Sequence, residues 1–471
     1  MMNNKILAAA VAAALTAPGL ALAQAPGTNV QIYGTLDVRL DYMKLTSNPA
    51  GTISSLSKYH LSGGQPNKIG FRGTEALGSG MTAFFQVETQ LFPDARQDLS
   101  AAQVTNATLG GRPTFLGMRT AWGEVSAGYQ DSPYKDAEFA GWAVKPTNTM
   151  TGAIMGNGNT TGTMPTPSCA DLTSPASSAA GINNVSTVAP AAGASGVKAP
   201  VITGFSRTAA TPVVGAQGCN DNAGSPTSFN RTVSNSIMYR SPVIAGFSFA
   251  AMTAANEWKE PTSATPAGEN TLNPTFGAYS LKWAAGPFSV AGGYEVHNGF
   301  RAVNTGTAAA PTNRAAKDTG VAIGGRYNYG RGLIGLGYEQ LKYKNSAADT
   351  AAASNGFTLK NWAVEATFNV TPADVLWGGY SRTNGKTSCD SGIAATCGSD
   401  SGAKFYTFGV DHNFSKRTAV YAYYSKIDNN ALASYNYISD SRTTNAAAGA
   451  GAGLGAGVDS TSYAIGMKHT F

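Results

Sequence analysis

Regular alternation of apolar and polar residues in short segments is the feature that most limits the folds open to this chain. In residues 30–42, apolar residues or glycine occupy every second position, and mostly polar or charged residues lie between them. A period of two is that of a β-strand with one apolar face. The segment is about a dozen residues long, and a tilted strand needs roughly 9–11 residues to cross a bilayer. It is therefore long enough to be a transmembrane strand.

The connections between such segments alternate strictly between short and long. Short turns include 285–287, 328–331 and 370–373. The long polar segments are about 45–67, 90–113, 131–233, 253–274, 298–319, 345–357, 383–403 and 428–458. Short turns at one end and long loops at the other are typical of outer-membrane barrels. We count sixteen strands, enough to enclose a water-filled channel, and predict an all-β, antiparallel transmembrane β-barrel.

Composition favours a barrel in lipid over a soluble all-β protein. Charged residues make up only 13% of the chain, whereas a soluble domain has about 25%. A barrel needs few outward charges because lipid covers its outer face, and it needs aromatic residues at the two interfaces. Beyond the N-terminal region, no apolar run approaches the roughly 20 residues of a membrane helix. A closed barrel is then the remaining way to satisfy backbone groups in lipid.

The N-terminal residues predict export. Lys5 and the apolar stretch 6–15 are followed by an A-x-A-like cleavage site. We expect residues 1–23 to be a signal peptide and 24–471 to form a single transmembrane β-barrel, with 131–233 as an enlarged third loop.

Net charge and cysteine content limit the partners. The formal net charge is +6, without a Lys/Arg run or an RNA-binding motif, so no nucleic acid is expected. The cysteines are Cys169, Cys219, Cys389 and Cys397. In an exported protein they predict disulfides, with three possible pairings. Proximity in the sequence favours Cys169 with Cys219 and Cys389 with Cys397. A metal site is the alternative, but no CxxC motif or neighbouring His supports it, and no cofactor is expected.

The last strand predicts how the barrel closes. Tyr463, Ile465, Met467 and Phe471 fall on one face, and Lys468 falls on the other. Because an open sheet edge is not tolerated in lipid, this strand must pair with the first one.

The chain resembles the Gram-negative general porins of the β-proteobacterial type. The resemblance rests on residues 30–37, 69–75, 235–242, 411–418 and the terminal Phe471, and it covers nearly all of the mature chain. It implies a homotrimer in the outer membrane, in contact with lipid and lipopolysaccharide, that lets small hydrophilic solutes and ions diffuse passively. It also implies that the third loop folds into the pore and that the assembly machinery reads Phe471.

Alternation along each strand, which we call strand parity, assigns charged side chains to the lumen, because successive residues of a strand face opposite sides of the wall. An Arg or Lys facing the lipid midplane costs about 2–4 kcal/mol, so the charged face is expected to point inward. The main lumen charges predicted are Asp37, Glu88, Arg240, Lys282, Arg326, Arg382 and Lys468.

The resemblance implies a constriction between a basic wall and an acidic loop. The expected residues are Arg39, Arg72 and Arg119 on the wall and Asp131, Asp136 and Glu138 on the loop. Alternatively, some of these pairs only anchor the loop or neutralise neighbouring charges. Basic and acidic lumen residues nearly balance, so we predict mild anion selectivity that arises from clustering at the constriction.

Three other functions are weighed against passive diffusion. A solute-specific channel draws support from Tyr33, Tyr421 and Tyr423, which have lumen parity. A surface-assembly or adhesion role through the third loop rests on its Ala/Ser/Gly-rich tract, 147–211. An enzyme would need a nucleophile beside a His; the chain has four His and no G-x-S-x-G motif. We therefore predict that the protein is not an enzyme.

Overall fold

Antiparallel β-strands account for most of the residues that a computed structural model of the chain describes. The described residues are 29–47, 55–63, 67–93, 109–135, 229, 232–254, 275–304, 313–344, 356–390, 394–395, 397–433, 435 and 456–471. The predicted signal peptide, Asp136, Glu138, Cys169, Cys219 and the tract 147–211 lie outside them.

Seventeen strands are found in these ranges, together with a short 3-10 helix at Ser399–Ser401 and one helical turn at 133–135. The strands are β1 (Asn29–Leu45), β2 (Leu56–Gly63), β3 (Lys68–Gly78), β4 (Met81–Gln90), β5 (Thr114–Thr120), β6 (Gly123–Asp131), β7 (Thr232–Arg240), β8 (Phe247–Ala254), β9 (Thr275–Ala285), β10 (Phe288–Asn304), β11 (Asn313–Asn328), β12 (Gly332–Lys344), β13 (Phe357–Asn369), β14 (Asp374–Thr383), β15 (Ala403–Asn413), β16 (Thr418–Asn429) and β17 (Ser460–Thr470).

The strands form one closed ring. From β3 to β17, each strand pairs antiparallel with the next one in the chain, and β1 pairs with β17 from Thr35↔Thr470 to Leu45↔Ser460. Strands β2 and β3 follow one another along the same edge of β1, so together they fill one position in the wall. The barrel therefore has sixteen wall positions, and both the predicted strand number and the predicted closure are confirmed.

The C-terminal residue completes the closing seam. Gly34 N–H donates to the Phe471 carbonyl at 3.1 Å, and Phe471 N–H donates to the Gly34 carbonyl at 3.2 Å. The Phe471 ring lies over Gly34, where a Cβ would collide with it. Only glycine at this position lets the ring pack against the wall.

The outer face of the barrel is apolar, as the alternation predicts. On β17 the exposed apolar side chains are those of Tyr463, Ile465 and Met467, with Ile465 62% exposed. The residues between them, Ala464 and Gly466, are buried on the lumen face. Within the described ranges, no helix is long and apolar enough to cross a membrane.

Strand length varies strongly round the ring. β10 and β11 have 17 and 16 residues, whereas β5 has 7 and β8 has 8. Strands β10 and β11 extend into the predicted loop 298–319, and β2 lies within the predicted loop 45–67. The prediction ended these strands too early because the period-two pattern fades where both faces are polar, although backbone pairing continues there.

Candidate functional site

A basic cavity lies on the inner wall formed by β1 and β3–β7. Its volume is about 510 Å³. The cations that line it are Lys68, Arg72, Arg112, Arg119 and Arg240, and the carboxylates are Glu88, Glu124 and Asp131. Because five cations face three carboxylates, the cavity carries a net positive charge.

Glu88 on β4 holds two of these cations. Its carboxylate accepts from Lys68 Nζ at 2.7 Å and from Arg112 Nε at 2.6 Å, and the Tyr33 hydroxyl donates to it at 3.0 Å. Glu88 is only 2% exposed, whereas about a quarter of each cationic side chain is exposed. The carboxylate is thus covered by its partners, and the positive groups face the lumen.

Two arginines of the cavity present their charge more openly. Arg72 Nε donates to the Gln31 side chain at 2.9 Å, and its guanidinium lies 5.0 Å from the Tyr33 ring centre. Among the described residues, no carboxylate pairs with Arg72. Arg119 pairs with Glu124, and its side chain remains 52% exposed. Both guanidinium groups can therefore meet a passing anion.

The predicted wall residues divide into two groups. Arg72 and Arg119 line the cavity together with Arg240 and Glu88, but Arg39 does not. Residue 31 pairs with Arg72 across β1 and β3, so Arg39 lies eight residues further along β1, which is about 26 Å of strand. Strand parity predicts which face of the wall a side chain occupies, but it does not predict the position of that side chain along the barrel axis.

Arg39 belongs to a separate buried cluster on β1 and β16. Arg39 is 5% exposed, and its Nε donates to Asp41 at 2.7 Å. Tyr423 donates to Asp41 at 3.2 Å, and Tyr421 donates to Asp37. Two carboxylates accompany this single guanidinium, so the cluster adds no net positive charge to the lumen.

Among the other predicted lumen charges, the structure differs from the prediction at Arg382. Lys282, Arg326 and Lys468 lie on the inner face of their strands. Arg382 pairs with Trp362 and Lys404 and shares the outer face of β14 with Leu376 and Tyr380. The lumen assignment of Arg382 is therefore wrong.

Strand β14 explains this error because both of its faces carry large apolar residues. Trp377 faces the lumen, where its indole N–H donates to Asp411 at 2.8 Å. The apolar stripe of β14 is therefore ambiguous in the sequence. Arg382 lies near the loop end of the strand, so it also avoids the cost of an arginine at the lipid midplane.

Asp131 lies at the base of the third loop. Its carboxylate accepts from Lys135 Nζ at 2.9 Å and from the Thr232 hydroxyl at 2.7 Å. These contacts tie the end of β6 to the start of β7, which agrees with the alternative that such charges anchor the loop. The other two predicted loop acids lie outside the described residues.

The two ends of the third loop reach the inner face of distant strands. Ser132 donates to Glu295 on β10, and Tyr134 donates to Glu339 on β12 at 2.9 Å. Phe229, near the other end of the loop, stacks on His297 with ring centres 4.6 Å apart. β10 and β12 lie four and six wall positions from β6, so the loop ends contact a remote part of the wall.

An apolar cluster on this wall packs against both ends of the loop. It comprises Tyr134, Phe229, Ala322, Leu341, Tyr343, Phe357 and Leu359, all nearly inaccessible to solvent. The sequence prediction missed this cluster and also missed Arg112 and Glu124. The sequence did contain a signal for this cluster. Four large apolar residues occupy lumen-facing positions of their strands, where a water-filled lumen would favour polar residues: Leu341, Tyr343, Phe357 and Leu359.

The predicted Cys389–Cys397 disulfide is confirmed and closes part of the loop between β14 and β15. The Cα atoms are 6.2 Å apart. Lys386 precedes it; its side chain is buried, and Nζ has no hydrogen-bond partner among the described residues. Nζ lies 5.6 Å from the Phe357 ring centre. Burial lowers the pKa of Lys386 to about 8.

Within the described residues, no group of His, Cys, Asp and Glu side chains is arranged to hold a metal ion.

Comparison with sequence families identifies a match over most of the chain. A family model described as Gram-negative porin matches residues 8–432. The major outer membrane protein P.IB of Neisseria gonorrhoeae is 30% identical over 124 residues, which are 26% of this chain and 33% of that protein. The P.IB of Neisseria meningitidis serogroup B is 30% identical over 116 residues, or 25% of this chain and 32% of that protein. The match thus spans about a third of the length of these relatives.

Solved structures share the fold over nearly the full chain. An anion-selective porin from Comamonas acidovorans matches with a TM-score of 0.58 and 19% identity, covering 94% of this chain and 100% of that one. The trimer form of OmpT from Vibrio cholerae matches with a TM-score of 0.55 and 14% identity, covering 94% and 99%. At these identities the likeness establishes the barrel fold alone.

Proposed function

The chain belongs to the Gram-negative porin family and forms a channel in the outer membrane. From this premise we propose that the channel lets small hydrophilic solutes and ions diffuse passively, with a mild preference for anions. The observation that carries this proposal is the five-to-three excess of cations over carboxylates in the wall cavity. Two of these five cations, Arg72 and Arg119, present their guanidinium groups to the lumen. The preference is mild since Glu88 and Glu124 offset part of the positive charge.

The passage for solutes lies between the third loop and the basic wall. Contacts of Ser132, Tyr134 and Phe229 with the inner face of β10–β12 support a loop that folds into the barrel. None of the described loop residues 132–135 and 229 lines the cavity on β1 and β3–β7. An entering anion then meets the cavity arginines at the narrowed part, where low-dielectric walls strengthen their field.

The short strands support a homotrimer. Strand β5 has 7 residues; at about 3.3 Å per residue and about 45° of tilt, it spans roughly 16 Å of membrane. A transmembrane barrel needs an apolar band about 25 Å tall. The side formed by β4–β8 is too low to face lipid alone, and neighbouring copies of the chain would cover it. The trimer form of the similar OmpT agrees with this assembly.

The domain plan forms part of the same proposal. Residues 1–23 act as the export signal, residues 24–471 form the mature barrel, and 131–233 is its third loop. An adhesion role for the tract 147–211 stays a prediction because that tract lies outside the described residues.

The buried tyrosines favour general diffusion over a solute-specific channel. Tyr421 and Tyr423 are 4% and 7% exposed, and both hydroxyls donate to carboxylates. Tyr33 likewise donates to Glu88. A sugar or aromatic solute would need open ring faces to stack on, and the rings of Tyr421 and Tyr423 do not offer them.

Planar-bilayer recordings test the proposal. A water-filled channel should show conductance that rises in proportion to salt concentration and is not blocked by sugars or small organic acids. Conductance that saturates with one solute, or that is blocked by it, would instead indicate a specific binding site and contradict general diffusion.

A further inference from the structure

Tyr33 lies beside the basic cavity, where three neighbouring wall strands run side by side. Strand register pairs Tyr33 on β1 with Gly70 on β3, and it pairs Gly70 with Glu88 on β4. The three residues therefore form one row across the inner face of the wall, with glycine in the middle. A Cβ at residue 70 would lie 2.6 Å from the Tyr33 ring. The glycine thus leaves a gap over β3, and the tyrosine ring fills it.

The hydroxyl of Tyr33 reaches across this gap to the next strand. It donates to Glu88 Oε2 at 3.0 Å. The same carboxylate accepts from Lys68 Nζ at 2.7 Å and from Arg112 Nε at 2.6 Å. The ring is therefore held at both ends, by its own strand and by a buried carboxylate.

Two cations flank the ring along β3. Alternate residues of the segment 68–72 share the inner face, so Lys68 and Arg72 lie on either side of Gly70. Lys68 Nζ is 5.6 Å from the Tyr33 ring centre, and the guanidinium carbon of Arg72 is 5.0 Å from it. A cation within about 6 Å of a ring centre is attracted to the ring. Tyr33 is therefore the common neighbour of both cations.

Arg72 lies within reach of Glu88 but does not pair with it. The register that pairs Gly70 with Glu88 makes residue 72 a diagonal neighbour of that carboxylate, close enough for a long side chain to bridge. Arginine and carboxylate form strong, charge-assisted hydrogen bonds. Arg72 Nε nevertheless donates to Gln31 at 2.9 Å. The Tyr33 ring occupies the space over Gly70 that the guanidinium would have to enter.

We infer that Tyr33 is a positioning residue for the anion preference, because its ring keeps the Arg72 guanidinium away from Glu88 and open to the lumen. Without the ring, Arg72 would fold over Gly70 and pair with Glu88. Loss of the tyrosine hydrogen bond frees an acceptor site on that carboxylate. No charge in the wall would change, yet one exposed guanidinium would be neutralised. This inference rests on the proposed function, since it concerns the anion preference of the same cavity.

Permeability ratios from reversal potentials under a KCl gradient test the inference. Tyr33→Ala removes the ring without changing any charge. It should lower the ratio of chloride to potassium permeability by nearly as much as Arg72→Gln does. Adding Arg72→Gln to Tyr33→Ala should lower the ratio little further, because Arg72 is then already paired. Tyr33→Phe is the matched control: it loses only the hydroxyl, keeps the ring over Gly70, and should keep most of the preference.

Three results would overturn the inference. They are an unchanged permeability ratio in Tyr33→Ala, additive effects in the double variant, and a loss in Tyr33→Phe as large as that in Tyr33→Ala. Additive effects would mean that a wider pore, and not the pairing of Arg72, lowers the ratio. Heat-modifiable migration on gels shows that each variant is folded, and Tyr33→Leu repeats the test if Tyr33→Ala does not fold.

The proposed function is tested separately in the same recordings. A wild type without anion preference would contradict the proposed function. The difference in permeability ratio between the wild type and Tyr33→Ala would still decide the inference, because it is measured relative to the wild type whatever the sign of its selectivity.

Discussion

Two lumen arginines, Arg39 and Arg72, carry the same charge but contribute differently to the field in the pore. Arg39 is buried beside Asp41, whereas Arg72 faces the basic cavity without a carboxylate partner among the described residues. Strand parity places both in the lumen, and the structure agrees. Parity does not give depth along the barrel or the partner of each charge, so the sequence could not separate the two.

Lys386 provides a prediction on pH. Its pKa is lowered to about 8 by burial, whereas in the unfolded chain it is about 10.4. The unfolded chain therefore binds more protons between these values, and this residue's contribution to stability rises with pH through that window. From pH 7 to pH 10, the free energy of unfolding should rise by on the order of 1–3 kcal/mol more in the wild type than in Lys386→Met.

Guanidinium unfolding of both proteins at the two pH values measures this difference. The variant lacks the titrating group, so it controls for tyrosines that ionise near pH 10. A wild type and variant with parallel pH dependence would contradict the account of Lys386.

At the scale of elements, the strands were largely predictable and the inner contacts of the loop were not. Period-two alternation depends only on neighbours in the chain, so it predicted the strands and their closure. The contact of Tyr134 with Glu339 joins residues 205 positions apart, and no local pattern encodes it. Strand β14 also shows a limit of parity, because Trp377 inside and Leu376 outside are both apolar.

The Tyr134 anchor gives a prediction for the third loop. Tyr134→Phe removes the hydrogen bond to Glu339 and leaves a buried carboxylate oxygen with one partner fewer, at a cost of about 1–3 kcal/mol. The loop should leave its position more often, and single-channel recordings should show more frequent current fluctuations.

Tyr239→Phe is the matched control. Its hydroxyl donates to the Trp122 carbonyl at 2.8 Å on the outer side of the barrel, far from the loop. If both variants show current fluctuations as rarely as the wild type, the Tyr134 hydrogen bond does not hold the loop in place.

At the scale of the whole molecule, closure depends on the seam between β1 and β17. Deleting Phe471 removes two backbone hydrogen bonds to Gly34 and the ring that covers it. We expect less folded barrel in the outer membrane, measured by heat-modifiable migration on gels. Phe414→Ala removes an exposed aromatic ring from a short turn and should assemble normally. Wild-type levels of the Phe471 deletion would show that the seam tolerates its loss.

Trimer formation also belongs to this scale, and only part of its basis is visible in the sequence. Short strands can be counted from the alternation, but their grouping on one side appears only when the ring is closed.

The reversal potential under a salt gradient tests the central claim most directly. In a planar bilayer with a tenfold KCl gradient, the wild type should pass chloride more readily than potassium. Arg72→Gln/Arg119→Gln should lose most of that preference, and Lys360→Gln/Arg382→Gln on the outer face should keep it. A wild type that prefers potassium, or an outer-face variant that shifts as far as the lumen variant, would contradict the account.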